Sequence, residues 1–397
     1  MLMKQQDIHQ QAQNISAELI AIRRHLHQHP ELSFQEYETQ KFVKSELEKI
    51  GFQNIITKAN TGLVVTIEGK NPTKKCIALR ADMDALPIQE LNDAPYKSQN
   101  DGVMHACGHD VHTTCLLGAA KILFPLKDQM EGTIKFIFQP GEEVAPGGAS
   151  IMIKEGVLEN PKPESIIGLH VFPDLPAGQV GFKSGQYMAS SDEIFITVKG
   201  KGGHAALPHK VVDPIVVAAN IIISLQQITS RKCNPIVPNV LSFGKIQGGF
   251  TNNVIPNEVH LEGTLRTFDE VWRKEALAFI KNISESIATS FGATAEVTIP
   301  DGYPSLYNAP ELTAKMETYA KEYLGEEQVK PLEIRMTAED FSFYAQKVDG
   351  CFYRLGTNQN NIAKTTPVHT AYFDVDESCL SVGAGLMAWL AIQELRK

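Results

Sequence analysis

The chain has 397 residues, of which 43% are hydrophobic and 21% charged, a balance that supports two or three globular domains with sizeable cores. Its formal net charge of −9 argues against nucleic acid or an anionic membrane surface as a partner, because both polyanions are held mainly by Lys and Arg. No run approaches the ~18 apolar residues of a membrane span, and the polar start MLMKQQDIHQ carries no apolar leader core, so a cytoplasmic protein is expected. The 6 cysteines have no paired spacing and read as reduced thiols.

Along the chain, helical periodicity is expected over 14–28 and 36–50, the second ending at Gly51. Strand-like runs follow at 62–68, 76–80, 133–139 and 166–171, with an apolar helix at 111–124 between the second and third. Helices alternating with buried strands imply an α/β layer with a largely parallel sheet. Near 183–192 the texture changes to strand 192–200, helix 212–230, strands 239–247 and 257–267, helix 270–291 and strand 293–299. That β-α-β-β-α-β order is the ferredoxin-like split unit. Mixed character returns with helix 310–324, strand 351–355 and helix 377–395. The expected architecture is an α/β domain with a mixed sheet (1–184 and 301–397) interrupted by an inserted α+β domain (185–300).

Side chains with metal or proton chemistry sit where these strands end. Asp82 and Asp84 follow one strand, Glu142 and Glu143 another, and His170 closes a third. In open α/β sheets ligands gather beyond the carboxyl ends of strands. In HACGHDVH (105–112), Cys107 and His109 are two apart and point the same way in extended backbone. They suit a transition metal better than magnesium or calcium, although a buried inert thiol beside a hydrogen-bonded histidine has the same spacing. QPGEE (139–143) puts two acids behind a Pro-Gly turn. One could ligate a metal while the other acts as base, since coordination lowers the pKa of water from 15.7 toward roughly 7. An exposed acidic turn is the alternative. His170 could equally be a satisfied core histidine, and His369, in TTPVHTAYF, either decorates the surface or reaches back as a ligand.

The His-rich RRHLHQHPELSFQE (23–36) is read as a surface helix end, because only His25 and His29 among its alternating histidines can share a helical face. In the inserted domain, His204 follows a glycine pair and could donate to a developing oxyanion. Asn253 and Arg266 could bind a substrate carboxylate, Arg266 through a bidentate fork.

Taken in order, RRHLHQHPELSFQE, LRADMDALP, MHACGHDVHT, FQPGEE, GLHV, GKGGHAALPH, TNNVIPNEV, GTLRTF, TAEDFSFY and PVHTAYFD resemble the M20 metallopeptidase family. The closer likeness is to its amidohydrolase branch of aminoacylases, hippurate hydrolases and indole-acetyl-amino-acid hydrolases. The resemblance implies a catalytic domain with an inserted lid or dimerisation domain, a homodimer, and two divalent metal ions (zinc, manganese, nickel or cobalt). It implies Cys107, His109, Glu143, His170 and His369 as ligands, Glu142 as base and His204 as the histidine that polarises the substrate. Asn253 and Arg266 become its carboxylate contacts. Aminopeptidase-like members carry His-x-Asp where this chain has Asp82-Met83-Asp84, which leaves both aspartates to orient imidazoles.

The expected activity is metal-dependent hydrolysis of the amide bond of a small N-acyl amino acid. The alternatives are a dipeptidase, a metal-independent thiol hydrolase using Cys107 and His109, and a non-catalytic binding protein. The acidic cluster is unexplained in a thiol hydrolase, and a storage site does not need Glu142.

Overall fold

The computed structural model describes residues 4–358 and 366–396. Two compact units divide the chain. One comprises the chain up to Gly185, Tyr307–Glu333 and everything from Asp340 onward; the other comprises Gln186–Leu306 and Ile334–Glu339.

The first unit opens with helices α1 (Gln5–Asn14), α2 (Ser16–Gln28) and α3 (Tyr37–Ile50). Helix α3 stops at Gly51, whose φ of +119° lets its N–H turn back onto the carbonyls of Leu47 and Glu48. Strands β1 (Ile56–Lys58), β2 (Gly62–Glu68) and β3 (Cys76–Asp82) lead to α4 (His109–Leu123). β4 (Thr133–Gln139), β5 (Ser165–Pro176) and β6 (Val180–Phe182) complete this stretch of the unit.

The second unit carries β7 (Asp192–Lys199), α5 (Pro214–Gln227), β8 (Asn239–Gln247), β9 (Glu258–Thr267), α6 (Glu270–Ser290) and β10 (Thr294–Thr298). The chain then returns to the first unit with α7 (Pro310–Leu324), β11 (Val329–Pro331), β12 (Asp349–Asn358) and α8 (Cys379–Leu395).

The sheet of the first unit runs β1-β2-β4-β3-β5-β12-β6-β11. The expectation of a largely parallel sheet holds only in its middle, where β4, β3, β5 and β12 are parallel neighbours. β2 is antiparallel to both β1 and β4, and β6 runs against β12, so the sheet is mixed. Every residue of β3 and β4 is buried, as both faces of a central strand demand. Helix α4 is buried almost all round, the signature of a core helix. Gly118 is the point where it closes on α8: a Cβ there would lie 2.6 Å from that of Ala384.

The second unit has its own core and a four-stranded antiparallel sheet, β8-β9-β7-β10. β7 alternates buried and more exposed residues, so one face is packed and the other is not. Both helices start on an aspartate that accepts from backbone N–H groups: Asp213 from Ile215 and Val216, Asp269 from Val271 and Trp272. No helix among the described residues is long and apolar enough to cross a membrane.

Candidate metal centre

Four parallel strands in the middle of the first sheet bring their carboxyl ends to one edge. Asp82 closes β3, the turn carrying Glu142 and Glu143 follows β4, and His170 lies within β5. Two left-handed glycines shape the loops between them. Gly108 (φ +82°) precedes α4 and leaves no room for a Cβ, which would meet Val171 at 2.6 Å. Gly141 (φ +59°) makes the turn before Glu142, with the ring of Phe34 filling the space a Cβ would need.

The structure gathers Cys107, His109, Glu142, Glu143, His170 and His369. The Cys107 sulfur lies 3.4 Å from His170 Nε2 and 3.2 Å from His369 Nε2. Glu143 Oε1 lies 3.3 Å from His369 Nε2 and 3.8 Å from His109 Nε2. One ligand atom each from His109, Glu142 and Glu143 also falls within a 4.8 Å span. Cys107, His109 and Glu142 are buried, while Glu143 is half-buried and His369 is exposed.

The imidazoles are held with one nitrogen bare. His170 directs Nδ1 to the carbonyl of Val171 at 2.8 Å, leaving Nε2 to face Cys107. His109 directs Nδ1 to Asp84 Oδ1 at 3.1 Å, and its buried Nε2 has no hydrogen-bond partner. Glu143 Oε1 is likewise buried and, among the described residues, accepts no hydrogen bond, its contact with His369 being an ion pair. His112 differs: Nδ1 meets Asp82 at 2.5 Å and Nε2 accepts from the Val171 N–H at 2.8 Å, so neither nitrogen is left for an ion. His369 adopts a left-handed backbone (φ +62°), a conformation that costs about 1–3 kcal/mol in a non-glycine residue and persists where surroundings enforce it. Its N–H donates to the carbonyl of Ala106 at 2.7 Å.

These residues fit a divalent metal. Donor atoms on a tetrahedral ion with bonds of about 2.0–2.3 Å stand roughly 3.3–3.8 Å apart, which is the spacing seen here. Electrostatics agree. Burial raises the Cys107 thiol and Glu143 and Glu142 raise it further, so only a cation nearby would make it a thiolate. Burial, then Arg354, holds His170 well below the usual histidine range and therefore neutral. Burial works to lower His109, but Asp82, Asp84 and Glu143 outweigh it and bring its pKa up to about 10. A bound dication would replace the proton that this acidic surround favours.

Residues 78–393 match the model of peptidase family M20/M25/M40. The chain belongs to this family. An N-acetyl-L-cysteine deacetylase of Bacillus subtilis is 41% identical to it over 92% of this chain and 85% of its own. An N-acyl-L-amino acid amidohydrolase of Geobacillus stearothermophilus is 42% identical over 78% and 83% of the two chains. Among solved structures, the YXEP protein of Bacillus subtilis, described as a dinuclear metal binding peptidase from the M20 family, superposes with a TM-score of 0.82. It is 37% identical, with 97% of this chain and 99% of that one covered.

Other residues singled out from the sequence lie in the second unit of this M20-family chain. His204 and Asn253 are exposed neighbours on a two-stranded ribbon, where Gly203–His204 pairs with Val254–Ile255 and the Ala205 N–H donates to Asn253 O at 3.0 Å. Arg266 is half-buried on β9, and its guanidinium makes no hydrogen bond or ion pair among the described residues.

Several supporting residues escaped the sequence reading. Arg80 is wholly buried and bonds Asp82 at 2.5 Å, Asp340 at 2.7 Å and Gln139 at 2.9 Å, tying the ends of β3 and β4 together. Ser33 donates to Asp84 Oδ2 at 2.6 Å, and the Glu143 N–H donates to the same oxygen at 3.0 Å. Helical spacing from His109 to His112 and the strand spacing from Arg80 to Asp82 were available signals. The surface reading of RRHLHQHPELSFQE is corrected: Arg23 and His27 are wholly buried. They sit four apart on one helical face, opposite the half-buried 25/29 face, where His25 stacks on Phe42.

Proposed function

We propose that this chain hydrolyses the amide bond of small N-acyl amino acids, releasing a carboxylic acid and an amino acid. The observation that carries this reading is the convergence of one sulfur, three imidazole nitrogens and a carboxylate oxygen beside a second buried carboxylate, Glu142. Cys107, His109, Glu143, His170 and His369 would hold two divalent ions, from among zinc, manganese, nickel and cobalt. Bound there, the ions would supply Lewis acidity toward the amide carbonyl and bring water close to ionisation at neutral pH.

The protein's own groups do the rest. Glu142 is the general base: its carboxylate accepts the proton of the attacking water and passes it to the leaving amine. Its Oε1 accepts from the Asp340 N–H at 3.3 Å, and Asp340 is fixed in turn by Arg80 and Gln139, so the base is held in place. Asp84 and the Val171 carbonyl fix His109 and His170 in orientation. In the second unit, Arg266 and Asn253 take the substrate carboxylate and His204 donates to the oxyanion. That the Arg266 guanidinium makes no hydrogen bond or ion pair among the described residues supports that role.

A homodimer through the second unit forms part of this proposal, supported by the exposed Ile223 and by Ile246 on the edge strand β8. A reducing, cytoplasmic setting agrees with 6 free cysteines.

The deciding experiment is a panel of N-acetyl, N-benzoyl and indole-acetyl amino acids, with dipeptides alongside, assayed with Mn²⁺ or Zn²⁺. Turnover of N-acyl amino acids is expected. No hydrolysis across the panel would overturn the proposal, and turnover of dipeptides alone would move it to a dipeptidase.

A further inference from the structure

Arg23 lies on α2, far along the sequence from every candidate ligand, yet its buried guanidinium is shared between the first turn of α4, which follows the Cys107 loop, and the segment that follows His369. Its Nε donates to Asp110 Oδ2 at 2.8 Å, and Asp110 directly follows His109. Its Nη2 donates to Asp374 Oδ1 at 3.1 Å, on the segment that follows His369. Nη1 lies 3.5 Å from Glu377 Oε1, a carboxylate also gripped by Arg24 at 2.9 and 2.6 Å.

Each aspartate is held a second time. His27 Nδ1 meets Asp110 Oδ2 at 2.7 Å, and the Tyr96 hydroxyl donates to Asp374 Oδ2 at 2.7 Å while its ring lies 4.8 Å from the Arg23 guanidinium carbon. The same face ties down the later loop by its backbone, through Leu91 N–H to Ala371 O at 2.9 Å and Asn92 Nδ2 to Phe373 O at 3.0 Å.

A partly buried cluster of this kind is a poor way to gain stability. Desolvating several charges offsets much of their attraction, and apolar side chains of similar volume often stabilise as well or better. What a planar guanidinium does that apolar packing cannot is fix two carboxylates at set positions and angles. Here those carboxylates belong to the first turn of α4, next to the Cys107 loop, and to the His369 loop. The loops meet at Cys107 and His369, whose donor atoms are 3.2 Å apart, and His369 is held there in a left-handed backbone.

We propose that Arg23 is a positioning residue for the metal centre: through Asp110 and Asp374 it sets the separation of the two ligand loops before any ion binds. This rests on the ligand assignment made above.

The test is Co²⁺ titration of the metal-free full-length chain, following the thiolate-to-cobalt charge-transfer band of Cys107 and the total cobalt bound. Arg23→Lys keeps the charge and loses the fork, and Tyr96→Phe removes the hydroxyl that donates to Asp374 and faces Arg23. Lys75→Met breaks a partly buried ion pair with Glu394 outside this cluster and is the control for general destabilisation. Arg23→Lys is expected to weaken Co²⁺ binding at the thiolate site about 10-fold, in the range seen when supporting partners of ligands are lost. Tyr96→Phe is expected to weaken it about 3-fold, and Lys75→Met to bind as the wild type does. Wild-type affinity in folded Arg23→Lys, or in Tyr96→Phe if Arg23→Lys does not fold, overturns the proposal. So does an equal loss in Lys75→Met. A wild-type chain that binds Co²⁺ without the thiolate band overturns the ligand assignment instead.

Discussion

Asp84 stands 3.1 Å from Nδ1 of His109, and the other nitrogen of that ring makes no hydrogen bond among the described residues. The carboxylate thereby selects which nitrogen is offered to an ion and fixes the plane of the ring. Asp84 is in turn held by Ser33 and by the N–H of Glu143, so it links two of the proposed ligands. Asp84→Asn should lower metal affinity about 10- to 100-fold with the fold intact. Competition with a chromophoric chelator measures this, and unchanged affinity would remove Asp84 from its orienting role.

Glu142 carries a different expectation, because it is the proposed base. Glu142→Gln should bind metal as the wild type does and lose turnover by about 10²–10⁴-fold. Kinetics at saturating substrate, with metal content measured on the same sample, give the answer. Near-normal turnover in the metal-loaded variant would falsify the mechanism.

Removal of the metal separates this chemistry from a thiol hydrolase. A sample verified metal-free should be inactive and should recover on addition of Mn²⁺ or Zn²⁺. Alkylation of Cys107 cannot make the distinction, since it deletes a ligand and a nucleophile alike. Full activity without metal is the result that would favour the thiol enzyme.

Glu36 supplies a prediction about pH. It lies wholly buried beneath the turn that carries the proposed base, accepting from the Gly141 N–H at 2.8 Å, the Phe34 N–H at 2.9 Å and the Thr61 hydroxyl at 2.6 Å. Burial raises its pKa from 4.5 to about 7 against the pull of those donors. A carboxyl raised on folding binds more protons in the native state than in the unfolded one. Its contribution therefore falls as pH rises from the unfolded value of 4.5, and the loss is complete above about 7. Denaturation midpoints of metal-free wild type and Glu36→Gln, compared at pH 5 and pH 8, should show the variant gaining on the wild type at the higher pH. A difference that is the same at both values would count against the raised carboxyl.

Much of this architecture is legible in the sequence because its signals are local. GLVVTIE and TIKFIFQ are apolar runs of strand length, and both form strands over those residues. Gly51 marks the end of a helix by its own chemistry. Helix α1 is less visible: QQDIHQQAQN buries only Ile8 and Ala12, one helical turn apart, too thin a stripe to declare itself. The proposed ligand set is legible as motifs, but its support is not. Arg23 looks like a solvated helix charge because Asp110 and Asp374 lie 87 and 351 residues away. His27 is hidden for the same reason, with Asp110 83 residues away and Glu90 63. Partners at such separations leave no periodic trace.

The order in which the chain leaves the ribosome gives the interrupted first unit a temporal meaning. Cys107, His109, Glu143 and His170 are synthesised before the second unit begins, whereas His369 and the strand that pairs Arg354 with His170 come after it. The proposed ligand set is therefore incomplete while some 120 intervening residues are added. The proposed centre is therefore complete only once the polypeptide has passed His369, on the far side of the second unit.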